Sequence, residues 1–324
     1  MTEQLAEIIL KATQAKSIIN TSHIQELWSG YGQILRCELE EGISPSVIVK
    51  HVQLPNQSHH PRGWNTDLSH ERKLKSYQVE INWYNDLAHR CDDYCRVADT
   101  IHLQDRQGEM LMIMEDLNAT GFPIRKSEVS IPEIKACLSW LAHFHAKFMG
   151  VKGDGLWPVG TYWHLDTRPD ELEAMQDKEL KAAAREIDKT LNDAKYQTLV
   201  HGDAKLANFC FSEKDQKVAA VDFQYIGLGC GMKDVAYFLS SCLHEEDLSS
   251  CETELLSFYF ETLKKALVLY DQLADFEEIQ QEWSKLYDYA WTDFYRFLDG
   301  WSPGHWKMHD YSKNIKNKVL KQLS

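Results

Sequence analysis

The sequence has no apolar run approaching the roughly 20 residues that a membrane span requires. Its first 23 residues, MTEQLAEIILKATQAKSIINTSH, lack a basic segment leading into an apolar stretch. No signal peptide and no membrane anchor are expected. The eight cysteines are scattered, with Cys91 and Cys95 the only close pair. Their spacing suits one helical turn better than a zinc knuckle, and no second pair completes a metal site. Reduced, mostly buried thiols and a cytoplasmic setting are the expectation. Basic residues are also scarce: 35 Lys and Arg stand against 49 Asp and Glu, a formal net charge of −14. That balance excludes the basic stripe needed for DNA or RNA. It leaves room for one small anion in a locally basic pocket. There is no internal repeat and no low-complexity tract.

With 324 residues, 44% of them hydrophobic, the chain can bury a sizeable core without staples. Leu5, Ile8, Ile9, Ala12, Ile18 and Ile19 recur at mainly helical spacing and predict a helix over residues 3–19. Gln33 to Leu39 alternates, and Val47-Ile48-Val49 is a β-branched run, with turn chemistry at Glu41 to Pro45. Residues 55–70 are polar and read as a loop insertion, and residues 71–89 as a helix. Val97 to Leu103 and Met110 to Met114 read as strands. Beyond Leu117 the pattern turns helical, over 131–149, 170–194, 233–243, 251–270 and 276–299, with Ser130 and Asp170 as expected N-caps. Short strands interrupt it near Thr198–His201 and Val218–Asp222. The expected class is α+β, with a small sheet-rich unit over 1–117 and a larger helical unit over 118–324.

The strongest local signal is His201-Gly202-Asp203-Ala204-Lys205-Leu206-Ala207-Asn208, followed by Val221-Asp222-Phe223-Gln224. Phosphoryl transfer needs a group that takes or orients a hydroxyl proton, and hard oxygen ligands for magnesium. Asp203 can supply the first. Asn208 and Asp222 can supply the second if the intervening residues form a hairpin that returns Asp222 beside Asn208. The plainer reading makes Asp203 a turn residue and Asn208 a cap. His201 has no second His or Cys at ligand spacing, so a structural role for it is expected.

These motifs resemble those of the aminoglycoside phosphotransferase and choline kinase superfamily, and most closely its ecdysteroid-kinase-like branch. H-G-D-x-x-x-x-N, then V-D-F-Q, then Asp234 in Lys233-Asp234-Val235-Ala236-Tyr237-Phe238-Leu239 follow that pattern. Leu141-Ala142-His143-Phe144-His145-Ala146 resembles the family's L-A-x-x-H-A helix. The resemblance spans roughly residues 28–243. It implies a two-lobed protein-kinase-like fold, with a nucleotide-binding lobe over 1–117 and a lobe over 118–324 carrying the catalytic loop and acceptor site. It implies ATP and Mg2+ as cofactors and a small-molecule alcohol as acceptor, amino alcohol, choline-like or hydrophobic. Asp203 resembles the catalytic base, Asn208 and Asp222 the magnesium ligands, and Asp234 the buried carboxylate that steadies the loop.

Lys50 resembles the third-strand lysine that binds the α- and β-phosphates. Its partner on the first helix is Glu71 or Glu80, and the E-x-x-x-Y resemblance of Glu80 to Tyr84 favours Glu80. Gly30, Tyr31 and Gly32 match a phosphate-covering loop imperfectly, and a plain hairpin turn explains the two glycines nearly as well. Met114-Glu115-Asp116-Leu117 resembles the hinge that meets adenine, where the acidity of Glu115 and Asp116 can be simple surface solvation. Lys205 lies where protein kinases carry a γ-phosphate-touching lysine; a solvated loop lysine is the plain alternative. Trp291, Asp293 and Tyr295, on a helix dense in aromatics, suit an apolar or cationic acceptor or simply a core face. Only Phe223 to Lys233 separates Asp222 from the next helix, and no A-P-E follows, so a peptide platform does not fit. A catalytically inactive nucleotide-binding protein is the remaining alternative.

Overall fold

The computed structural model describes residues 1–27, 30–53, 67–106, 108–214 and 216–324. Helix α1 (Glu3–Thr13) begins under a Thr2 cap and ends where Gln14 turns left-handed, its N–H donating to the Leu10 carbonyl. The expected helix over 3–19 is therefore too long: Ile18 and Ile19 belong to strand β1 (Ser17–Glu26). An antiparallel sheet follows, in the order β1, β2 (Gly32–Glu40), β3 (Ser46–Gln53), β6 (Glu109–Glu115), β5 (Thr100–Arg106). Side chains alternate across such a sheet. Val47 and Val49 join α1 in a cluster with Leu5, Ile9, Leu35 and Ile113. Lys50 and Val52 then face the opposite way, toward helix α2 (Asp67–Asp86), where Tyr77 packs on Val52. The polar loop expected over 55–70 lies largely outside the described residues, and its last four positions are the start of α2.

The rest is mainly helical. Helix α3 (Ile131–Lys147) carries the expected Ser130 cap, with Glu133 completing a capping box. The helix expected over 170–194 is two: α4 (Pro169–Ala174) and α5 (Lys178–Asn192). Asp170 is not a cap but lies in the first turn of α4 behind Pro169; Asp177 caps α5. Helices α6 (Met232–Cys242), α7 (Glu245–Leu269), α8 (Phe276–Trp301) and α9 (Asp310–Leu323) complete the unit, with α3 against α7 and α8 packed on α6 and α9. Two small sheets set the loops between them. Strand β7 (Thr198–Val200) pairs with β10 (Gly227–Gly229). Strands β8 (Phe209–Phe211) and β9 (Val218–Ala220) form the expected hairpin. Strand β4 (Arg96–Val97) runs parallel to β9 and ties the chain before β5 to that hairpin. All eight cysteines are free thiols, and no helix among the described residues is long and apolar enough to cross a membrane.

Candidate functional site

The loop after β7 is held by one carboxylate. Asp234, in the first turn of α6 and fully buried, accepts the backbone N–H of His201 at 2.6 Å and of Gly202 at 2.9 Å. His145 Nε2 lies 3.1 Å from the same carboxylate, and its Nδ1 lies 2.8 Å from the Tyr259 hydroxyl. Two elements distant in sequence thus fix one turn. Gly202 has φ +79, and a Cβ there would meet the Tyr225 carbonyl at 2.0 Å, so only glycine fits. His201 is structural, as its spacing suggested. Its Nδ1 accepts the Asp203 N–H at 3.2 Å, which places the proton on Nε2, 3.0 Å from the Val221 carbonyl.

That turn aims Asp203 inward. Its Oδ2 accepts from Lys205 Nζ at 2.9 Å and Asn208 Nδ2 at 3.2 Å, while its buried Oδ1 has no hydrogen-bond partner among the described residues. Burial raises the Asp203 pKa, the charge of Asp222 adds to the rise, and Lys205 opposes it. The β8–β9 hairpin then brings Asp222 back beside Asn208, with the Val221 N–H donating to the Asn208 carbonyl at 3.0 Å. Asn208 commits its NH2 to the Asp203 carbonyl at 2.7 Å, so its amide oxygen is the group left to face a cation.

Asp222 sits at φ +70, a strained value for a residue with a Cβ. Burial opposes its ionisation, but Lys50, Lys205 and Lys73 together hold its pKa below the ordinary carboxylate value. Its Oδ1 also lacks a hydrogen-bond partner among the described residues. The Asp222 carboxylate and the Asn208 amide oxygen form a pair of hard-oxygen donors beside Asp203. That chemistry fits magnesium carried in with a polyphosphate better than an all-protein cage. Among the described residues no group of three or more His, Cys, Asp or Glu is arranged to hold a metal alone.

Lys50 joins the sheet to this cluster. Its Nζ lies 2.5 Å from Glu80 Oε2 and 3.7 Å from Asp222 Oδ1. Burial works against its charge, but Glu80 and Asp222 more than offset it, and the Lys50 pKa stands above its ordinary value. Burial pushes Glu80 up as well; with two carboxylates about it, the ammonium keeps its proton. Such a pair is worth roughly 4 kcal/mol at an effective dielectric of 20, before desolvation is set against it, so its main effect is to orient Lys50. Glu71, the other candidate partner, is exposed.

Phe223 is fully buried and stacks on Trp83 at 4.9 Å. The Gln224 side-chain oxygen accepts from Lys73 Nζ at 2.8 Å. Lys73 is a site residue that the sequence reading missed. Burial lowers it to about 8, with Asp222 pulling the other way. Its helical position, seven residues before Glu80 and on the same face of α2, was the available signal.

The remaining candidates are placed as follows. Gly30, at φ +75, and Tyr31 form the β1–β2 turn, in which the Leu27 N–H donates to the Gly32 carbonyl at 2.8 Å. Gly32, at φ +129, has no room for a Cβ, which would meet the His51 carbonyl at 2.0 Å. Tyr31 is a core residue, 3% exposed, packed with Tyr77 and bonded to His70. Ser29 lies outside the described residues. Leu117 is buried and Glu115 pairs with Arg96. Asp116 corrects an expectation: it is not surface acidity but a buried anchor, bonded to Arg36 Nε and Ser46 Oγ, each at 2.7 Å. The proposed acceptor residues are not gathered with Asp203. Trp291 is 2% exposed and packs edge-on against Tyr311. Asp293 Oδ1 accepts from Arg296 at 2.8 Å and Oδ2 from Trp163 Nε1 at 3.0 Å, so neither oxygen is left for an ammonium. Tyr295 lies under Lys316. This stretch of α8 is core, because its spacing points these side chains at α9 and at the segment before α4 rather than at the loop.

The rings that do surround Asp203 are Tyr162, Tyr225 and Tyr237. Burial and then the Asp203 charge raise the Tyr162 pKa; for Tyr237 the order is burial, Tyr162 and Asp203; for Tyr225 burial leads, and the arginines at 168 and 72 oppose it.

The model of the ecdysteroid kinase-like family matches residues 46–154 and 160–271. No curated protein sequence matches the chain. Among solved structures it is similar to an amicoumacin kinase in complex with AMP-PNP, Ca2+ and Ami, at 14% identity and TM-score 0.60, covering 100% of this chain and 98% of that one. It is similar to a choline kinase from Cryptosporidium parvum Iowa II, at 11% identity and TM-score 0.54, covering 100% and 95%. It is also similar to a microcompartment-associated aminopropanol kinase, at 14% identity and TM-score 0.53, covering 99% and 97%. At these identities the likeness is one of fold, a two-lobed kinase-like fold with an antiparallel-sheet unit and a helical unit.

Proposed function

Because the chain belongs to the ecdysteroid kinase-like family, we propose that it moves the γ-phosphate of ATP to a hydroxyl of a small molecule. One observation carries this reading: Lys50, bonded to Glu80, lies 3.7 Å from Asp222, and β8–β9 joins Asp222 to the loop that holds Asp203 and Asn208. An ordinary structural ion pair does not require three carboxylates and two further lysines about one space.

In this reading residues 1–117 are the nucleotide-binding lobe and 118–324 the lobe with the catalytic loop. Lys50 holds the α- and β-phosphates, oriented by Glu80. Lys73 and Lys205 add positive charge toward the phosphates. Asp222 and Asn208 would hold magnesium, which when bound neutralises charge on the phosphate oxygens. Asp203 Oδ1, which accepts no hydrogen bond from the described residues, accepts the proton of the acceptor hydroxyl. Its raised pKa suits a base that must hold that proton during transfer. The Gly30–Gly32 turn covers the phosphates, and the backbone between Glu115 and Leu117 meets the adenine edge.

Asp222 stays in place through turnover. Phe223 is stacked into the core and Gln224 is tied to α2, so the Asp–Phe–Gln segment has neither the glycine nor the space for a flip. Titration of the chain with Mg-AMP-PNP, followed by phosphate transfer from ATP to a broad panel of alcohols, tests the reading. Nucleotide binding without transfer to any acceptor would favour the inactive binding protein instead.

A further inference from the structure

Between α8 and α9 the chain places one lysine inward. Lys307 is 9% exposed. Its backbone is clamped on both sides: its N–H donates to His305 Nδ1 at 3.2 Å, and its carbonyl accepts from Ser312 Oγ at 2.8 Å. Its Nζ lies 4.9 Å from the Tyr237 ring centroid, 5.2 Å from Phe294 and 5.6 Å from Trp306. Its one polar side-chain partner among the described residues is Ser240 Oγ, at 3.3 Å. Among the described residues no carboxylate lies within ion-pair distance of it. Every other buried lysine side chain in the described chain that approaches the site has a carboxylate or amide oxygen to bond.

Three rings around a cation form a cation–π box, the arrangement that receives ammonium ligands. Here the box stands beside the reacting centre. Tyr237 packs against Tyr162, whose N–H donates to the Gly202 carbonyl at 3.2 Å, and Ser241, next to Ser240, accepts the Leu206 N–H at 2.9 Å, so the box adjoins both sides of the Asp203 loop. The Asp203 carboxylate also favours the Lys307 ammonium. The chain thus fills this box with its own ammonium.

Resting on the phosphotransferase reading above, we propose that Lys307 is a specificity-determining residue that excludes acceptors carrying a positive charge and selects uncharged alcohols that present an oxygen to its ammonium. A second cation in the same box would meet Lys307 at short range in a region that water screens poorly. An acceptor oxygen would instead supply a hydrogen-bond partner to an ammonium that, among the described residues, bonds only Ser240. The amino-alcohol and choline-like acceptors that the aromatic content of the sequence allows are disfavoured by Lys307.

The test uses the full chain with Mg-AMP-PNP and two probes of one shape, choline and its uncharged isostere dimethylbutanol. Calorimetric titration of wild type, Lys307→Met and Lys307→Arg gives their affinities. Choline should bind Lys307→Met at least about tenfold more tightly than it binds wild type. Lys307→Arg, which keeps the charge, should behave as wild type, and dimethylbutanol should change far less. Thermal melting confirms that each variant is folded. Choline binding to wild type as tight as to Lys307→Met, or no choline binding to a folded Lys307→Met, would overturn the proposal. Titration with Mg-AMP-PNP alone separates the two readings: its failure in wild type would remove the phosphotransferase reading, whereas its persistence leaves the choline result to judge Lys307.

Discussion

Lys50 on β3 and Glu80 on α2 form an ion pair at 2.5 Å, with side chains only 4% and 2% accessible. Breaking such a pair from one side leaves a buried charge uncompensated. Glu80→Ala should lower stability by about 3 kcal/mol, at the low end of the usual range because Asp222 remains near Lys50. The double variant Lys50→Met, Glu80→Leu should recover much of that loss while failing to bind Mg-AMP-PNP. Denaturant unfolding and nucleotide titration check the two halves separately. Recovery of nucleotide affinity in the double variant would show that the pair is structural only.

Asp222 and Asn208 should differ as oxygen donors. Asp222→Ala removes a formal charge and Asn208→Ala a neutral oxygen, so both should weaken magnesium-dependent nucleotide binding, Asp222→Ala more. Isothermal titration with and without magnesium measures this. Unchanged affinity in both variants would place the metal elsewhere.

Lys73, lowered to about 8 by burial, should make nucleotide binding pH-dependent. In the proposed reading it is, below its pKa, a cation near the phosphates; above it the charge is lost. Affinity for Mg-AMP-PNP should therefore weaken as pH rises from about 7 to about 9, toward tenfold per pH unit once Lys73 titrates. Lys50, whose pKa stands above its ordinary value, stays charged throughout. The Lys73→Met variant should bind more weakly and show a flat profile. A wild-type profile that is flat as well would remove Lys73 from the phosphate site.

Asp234 should matter as much to folding as to catalysis. Asp234→Ala leaves the N–H groups of His201 and Gly202 buried and unpaired, at about 1–3 kcal/mol each. Thermal melting should show a large drop, and Asp234→Asn should rescue part of it. A melting temperature near wild type for Asp234→Ala would mean that another group holds the loop.

The motifs that could be read were those whose chemistry sits in a short stretch. The loop from His201 to Asn208 and the strand from Ser46 to Lys50 carry both their residue types and their spacing in sequence, and alternation alone turns Lys50 toward α2. Three things were hidden because they depend on distant partners. The end of α1 was lost because Ile18 and Ile19 of β1 continue the helical spacing of its apolar residues, whereas Gln14 stops the helix through its backbone angles. Lys73 looks like any charged residue of an exposed helix until Gln224 and Asp222 are brought beneath it. Trp291, Asp293 and Tyr295 have the composition of a ligand box, but Arg296 and Trp163 take the Asp293 oxygens. Spacing alone cannot tell an aromatic core face from a binding face, since both bury one stripe of a helix.

Asp203 is where the proposed chemistry meets the protein most directly. Its Oδ1 is buried without a partner among the described residues while Oδ2 is held by Lys205 and Asn208, so in the proposed reading one oxygen is positioned and the other is left for a substrate proton. Asn in its place preserves the shape and cannot accept that proton. The decisive measurement is phosphate transfer from Mg-ATP to the best acceptor of an alcohol panel, for wild type and Asp203→Asn, beside their Mg-AMP-PNP affinities. Turnover should fall by about 10²–10⁴ in the variant with nucleotide affinity largely unchanged. Turnover near that of wild type would contradict the assignment of Asp203 as the base.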